Sequence, residues 1–188
     1  MAKKRKRLTK IGLNIFVLFL SACLIMEAYT RTPDKLDIRP LKLSPNIEEV
    51  ILLFHGAKDE LNPELAAITL KYKSLISKRK DSVIVNYDWS SGSNNRLRAS
   101  SNALEFGSAL GNELAEYQNL KHIRVIAHSA SGFIPDELCR AYKDQGGRAH
   151  IESTFLDAFS LRGFVDSNYG ARNHGSCADY SMNIVNTD

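Results

Sequence analysis

Four short runs, Glu49–His55, Ser82–Tyr87, His122–Ala127 and Ala149–Leu156, read as apolar strands, the first rich in Val, Ile and Leu, and helix-like segments separate them. A strand with one wet face alternates apolar and polar residues. A strand that is apolar at consecutive positions is covered on both sides, the condition of a parallel sheet between helices. The connecting segments fit. Asn62-Pro63 caps and starts a first helix, with Leu65, Ile68, Tyr72, Leu75 and Ile76 on one face and Lys78, Arg79 and Lys80 in its last turn. A second helix is predicted from Asn94 to about Tyr117, with Leu97, Leu104, Gly107, Leu110, Gly111 and Leu114 on one stripe. Its two glycines permit close packing on a sheet. A third runs from about Ala130 to Lys143, bent by Pro135 and ended by Gly146-Gly147. The expected fold class is α/β, a mostly parallel sheet with helices on both faces.

The net charge of +4 is misleading until its location is read. Lys3, Lys4, Arg5, Lys6, Arg7 and Lys10 precede residue 11, and the remainder is slightly negative. The basic balance therefore gives no argument for a nucleic-acid partner. It heads a targeting segment: the apolar run Ile11–Leu20, then Leu20-Ser21-Ala22-Cys23. That tetrapeptide resembles the lipobox of bacterial lipoproteins, and the resemblance makes Cys23 the lipid anchor. Leu24, Ile25 and Met26 continue the apolar run, so an uncleaved membrane anchor and an ordinary cleaved signal stand as alternatives. All three send the domain out of the cytoplasm. The expected organisation is 1–23 signal peptide and lipobox, 24–48 linker with a short edge strand near Leu36–Leu43, and 49–188 globular domain. Cys139 and Cys177 remain, either a pair in an oxidising compartment or two separate thiols.

The chemistry is expected where strands end. The third predicted strand runs through Ile126-Ala127-His128 into Ser129-Ala130-Ser131-Gly132. A serine between small residues at a strand-to-helix junction is the form of a nucleophile elbow, because the sharp turn leaves no room for larger neighbours two residues either side. Ser129 is the candidate nucleophile, or else a helix cap. Ala130 offers a backbone N–H to a developing oxyanion. The first strand ends in Phe54-His55-Gly56-Ala57, where the N–H of Ala57 is the second candidate donor. The fourth ends in Leu156-Asp157-Ala158, and Asp157 is the candidate acid that orients a histidine.

Together these segments resemble the pancreatic-lipase-like branch of the α/β-hydrolase superfamily, from Val50 to Asp188. Phe54-His55-Gly56 is similar to the family's His-Gly oxyanion loop, Asn86–Ser93 to its Val-Asp-Trp segment, Val125–Ser131 to its Gly-His-Ser-x-Gly elbow, and Leu156-Asp157-Ala158 to its Leu-Asp-Pro. The 28 residues from Ser129 to Asp157 suit that branch, and Ala178–Asp188 resembles the Ala-Asp-Phe…His-Thr-Asp stretch beyond the acid. The resemblance implies a C-terminally short hydrolase core acting on a small ester or lipid through Ser129, Asp157 and the amides of Ala57 and Ala130. The chain departs from the pattern at Ala127, Ser131 and Ala158. The family's catalytic histidine lies beyond its Thr-Asp segment. Of the histidines here, His55 and His128 fall in motifs where the family's are not catalytic, and His122 and His150 begin strands at the far end of the sheet. His174, in the 163–177 loop, is the geometric candidate for a base. The alternative is a truncated or inactive hydrolase-like envelope lipoprotein with a binding or structural role. No cofactor or metal is implied: the sequence has no Gly-x-Gly-x-x-Gly, no phosphate loop and no Cys/His zinc spacing.

Overall fold

Strand β1 (Glu49–Phe54) is buried at every position, as a strand flanked on both edges and covered on both faces must be. In the computed structural model, which describes residues 2–57, 63–76 and 79–187, it lies inside a five-stranded, all-parallel sheet. The other strands are β2 (Ser82–Tyr87), β3 (His122–His128), β4 (His150–Leu156) and β5 (Tyr180–Ile184), and the order is β2-β1-β3-β4-β5. Glu49 is level with Ser82 on one side and His122 on the other, so the three strands start in line and finish in line. The chain reverses its direction of sheet growth between β1 and β3, and in open parallel sheets the crevice at that reversal is where ligands bind.

Alternate residues of β1 face two separate cores. Val50, Leu52 and Phe54 pack with Ala103, Phe106, Leu110 and Leu114 of α4 (Ala99–Leu114) and with Ile134, Leu138 and Tyr142 of α5 (Ile134–Asp144). Ile51 and Leu53 pack with Leu65 of α2 (Pro63–Ile76), with Ile68 and Tyr72 beside them. Each fully buried aliphatic or aromatic side chain contributes about 1.5–3 kcal/mol. The expected parallel sheet with helices on both faces is thus present.

The detail differs from expectation in several places. Leu75 is 67% exposed rather than on the buried stripe of α2. Arg79 lies past the helix end, where it pairs with Glu49 at 2.9 Å and Asp81 at 3.5 Å. Asn62, Lys78 and the side chain of Ile76 lie outside the described residues. The predicted second helix divides into a short turn, α3 (Ser90–Ser93), and α4, with Leu97 in the loop between them. Gly107 and Gly111 face α5, not the sheet: a methyl group on Gly111 would sit 2.3 Å from the Leu138 carbonyl oxygen. β5 has no counterpart among the expected strands; its five residues are all exposed, because no helix covers it.

The apolar N-terminal segment forms one helix, α1 (Ala2–Arg31), which runs through Cys23 without a break. Its stretch Ile11–Arg31 is 21 residues, long and apolar enough to cross a membrane, a property signal sequences share. Residues 24–48 do not behave as a linker. The first part completes α1. The rest lies along the domain with no strand near Leu36–Leu43: the Leu41 N–H donates to Glu113 at 2.7 Å, and Ile47 is buried.

Candidate active site

β3 delivers Ser129 to the carboxyl edge of the sheet in a left-handed backbone conformation, φ +53°. A non-glycine residue there costs about 1–3 kcal/mol and persists only where its surroundings hold it. Two contacts do so. The Ser131 hydroxyl, fully buried, lies 2.8 Å from the His128 carbonyl oxygen and 3.1 Å from that of Phe54. The Phe159 N–H donates to the Ser129 carbonyl at 3.0 Å. Ala127 is fully buried as well. The small residues flanking Ser129 therefore meet a real spatial limit, and Ser131 adds a hydrogen bond that a glycine would lack.

Ser129 does not open a long helix. A 3-10 turn spans Ser129–Phe133, and α5 begins only at Ile134. Pro135 consequently sits in the first turn of α5, where its missing N–H has no partner to lose, so it initiates the helix instead of bending it.

Ser129, Ala57 and Ala130 line one cavity of about 550 Å³, with Gly56, Leu97 and Phe159 among its walls. The structure thus brings the candidate nucleophile and both candidate oxyanion donors together. Gly56 allows this approach: a methyl group there would meet Ser129 Cβ at 3.2 Å and His128 Nδ1 at 3.0 Å. The loop is braced from behind. Trp89, fully buried, donates its Nε1–H to the His55 carbonyl at 2.8 Å. Hydrogen bonds from the Ser90 hydroxyl and N–H hold the Asp88 carboxyl below its ordinary range.

Asp157 is not in that cavity. It also has positive φ, +45°, and its N–H donates to the Ile184 carbonyl at 2.7 Å. It lines a neighbouring cavity of about 480 Å³ with Leu65, Ile184 and Val185. His128 lines both cavities, so it stands between the serine side and the acid side. His174 does not join them. Its ring stacks on Phe155 with centroids 4.9 Å apart, meets Phe133 edge-on at 5.7 Å, and its Nε2 is 3.2 Å from the Phe159 carbonyl. Burial keeps its imidazole below the ordinary value of 6.5. Among the described residues, no histidine hydrogen-bonds the Ser129 hydroxyl. His122 and His150 face each other at the strand starts, ring centroids 5.9 Å apart, remote from the site as expected.

Several contributors carry no sequence signal. Thr30 of α1, Arg96, Leu161 and Phe164 line the Ser129 cavity, and nothing in their local patterns marks them. Cys139 and Cys177 form a disulfide, joining α5 to the loop that carries His174. Buried Asp136 receives the N–H groups of Gly175 at 2.9 Å and Cys177 at 3.1 Å, which fixes the same loop. Cys23 is an exposed free thiol on α1.

Compared with protein-family models, curated proteins and solved structures, the chain matches none. The fold itself defines the class: an α/β protein with a five-stranded parallel sheet.

Proposed function

We propose that this chain is an exported serine ester hydrolase of the lipase and esterase type, related to the pancreatic-lipase-like α/β-hydrolases. The observation that carries the reading is Ser129, held at positive φ at the end of β3 in one cavity with Ala57 and Ala130. In this reaction the Ser129 oxygen bonds to the ester carbonyl carbon. The serine's proton passes to an imidazole, the N–H groups of Ala57 and Ala130 donate to the oxyanion, and the ester C–O bond breaks as the alcohol leaves with that proton. Water then releases the acid and restores the hydroxyl. Asp157 serves by orienting an imidazole, and His128 is the histidine that borders both its cavity and the serine's. Export is supported by α1 and its basic head, with Cys23 the site of lipid attachment in the lipoprotein form.

A second reading, a hydrolase-like binding domain, is favoured by one finding: no histidine hydrogen-bonds the Ser129 hydroxyl among the described residues. Short-chain p-nitrophenyl ester hydrolysis and fluorophosphonate labelling of the full chain in detergent separate the two. Expected is labelling at Ser129 and a rate that falls about 100-fold or more in Ser129→Ala. A wild-type rate equal to that of Ser129→Ala leaves the binding reading.

A further inference from the structure

α1 outlasts its apolar run, and the last turn is built into the domain. The Phe164 N–H donates to Glu27 Oε2 at 2.7 Å, and the Ser101 hydroxyl donates to the Thr30 carbonyl at 2.9 Å. The Arg98 guanidinium lies 3.8 Å over the Tyr29 ring. Just past the helix, the Asp34 carboxylate accepts from Arg98 Nη1 at 2.8 Å and Asn102 Nδ2 at 3.0 Å. Gly163, at φ +66°, presses its backbone against Glu27 so closely that a methyl group would sit 2.4 Å from Oε1. The helix and the 159–165 loop are therefore fixed to one another.

That loop carries apolar side chains that nothing in the domain covers. Phe164 is 55% exposed and Val165 is 74% exposed. Both line a groove of about 400 Å³ whose other wall is Ala22, Cys23, Met26 and Glu27 of α1. They stand level with the last apolar turn of the helix, so the helix determines their depth. Where that turn meets hydrocarbon, Phe164 and Val165 meet it too. Phe164 also lines the Ser129 cavity, as do Thr30 and Gly163. Phe164 is thus shared by the cavity wall and the groove.

We propose that Phe164, Val165 and the last apolar turn of α1 form one membrane-docking surface that seats the mouth of the Ser129 cavity at the lipid–water boundary. The partner is a lipid bilayer. Only the reading of α1 as a membrane segment is needed, not hydrolase activity. Retention of the span and lipidation of Cys23 both bring lipid beside the groove, because Cys23 itself lines it, and cleavage before Cys23 would remove only Ala22 from the lining.

The test uses the full chain in phosphatidylcholine vesicles carrying Phe164→Trp. Trp89 is the sole native tryptophan and is fully buried, so it supplies a constant background. The added emission should be about halved by lipids brominated near the headgroup end of the acyl chain and be insensitive to aqueous iodide, as for side chains resting at the acyl boundary. Tyr180→Trp, exposed at the start of the edge strand β5, should respond only to iodide. Val165→Trp replaces Phe164→Trp if circular dichroism shows that the latter is unfolded. Iodide quenching at 164 or 165 without bromolipid quenching, in chain that floats with the vesicles, overturns the docking surface. Failure of the wild-type chain to float overturns the membrane reading of α1 and the proposal with it. Neither result touches the ester-hydrolysis assay.

Discussion

Ser129 is held in an unfavourable backbone conformation by contacts that have nothing to do with its own side chain. Ser131 ties the turn to the ends of β1 and β3, and Phe159 pins its carbonyl. The small-Ser-small pattern is legible because it is local and steric. The role of Ser131 is not, because its partners are backbone atoms of Phe54 and His128 that come together only in the folded sheet. The case of His174 is similar. Its position in a loop on the correct side of the sheet is readable, but its burial between Phe155 and Phe133 is not. That burial makes a pH prediction. The folded pKa lies below the ordinary value of 6.5, so the unfolded chain binds the proton more readily. The stability this neutral ring contributes is complete above about pH 6.5 and declines as pH falls toward the lower folded value. Thermal unfolding at pH 7 and pH 5 should show a larger acid loss for wild type than for His174→Gln. Equal losses would mean the ring is not the titrating group.

Among the elements, β1 to β4 are readable as strands and α2 as a periodic stripe, since each turns a declared face toward a core, fully in β1 and only partly in β2 and α2. β5 is not. Tyr180-Ser-Met-Asn-Ile is exposed throughout, and what makes it a strand is pairing with β4 alone, Glu152 level with Tyr180 through Leu156 level with Ile184. The 32–48 segment misleads for a related reason: its prolines suggest a linker, while its anchors, Glu113, Tyr117 and Tyr87, lie far along the chain. The α4–α5 contact gives the test at this scale. Gly→Ala in a helix interior ordinarily gains about 1 kcal/mol. At Gly111 the new methyl group would sit 2.3 Å from the Leu138 carbonyl and 2.8 Å from Ala141 Cβ. Backbone cannot yield as a flexible side chain can, so overpacking wins and Gly111→Ala should lose about 1–3 kcal/mol. Denaturant unfolding in detergent measures this, and a gain in stability would refute the close packing.

At the scale of the whole molecule, the sheet has a firm side and a light one. β1, β2 and β3 share two cores, whereas β5 and the 170–179 loop are attached by the Cys139–Cys177 disulfide, Asp136 and a Lys143–Asp179 pair at 3.2 Å. Closing a 38-residue separation removes about 4 kcal/mol of unfolded-state freedom. Reduction should therefore lower the melting temperature, and amide exchange should rise in β5 before β1. Uniform loss across the sheet would contradict this division. The junction between α1 and the domain has a different consequence. Glu27, Thr30 and Asp34 are each bonded to residues of the domain, so no swivel separates helix from site. A catalyst on a loose tether searches a hemisphere of solvent. One bolted to its anchor cannot turn away from the surface beneath it. With α1 in a bilayer, this domain would meet its targets by drifting sideways in two dimensions, and the speed of that search would follow the fluidity of the lipid.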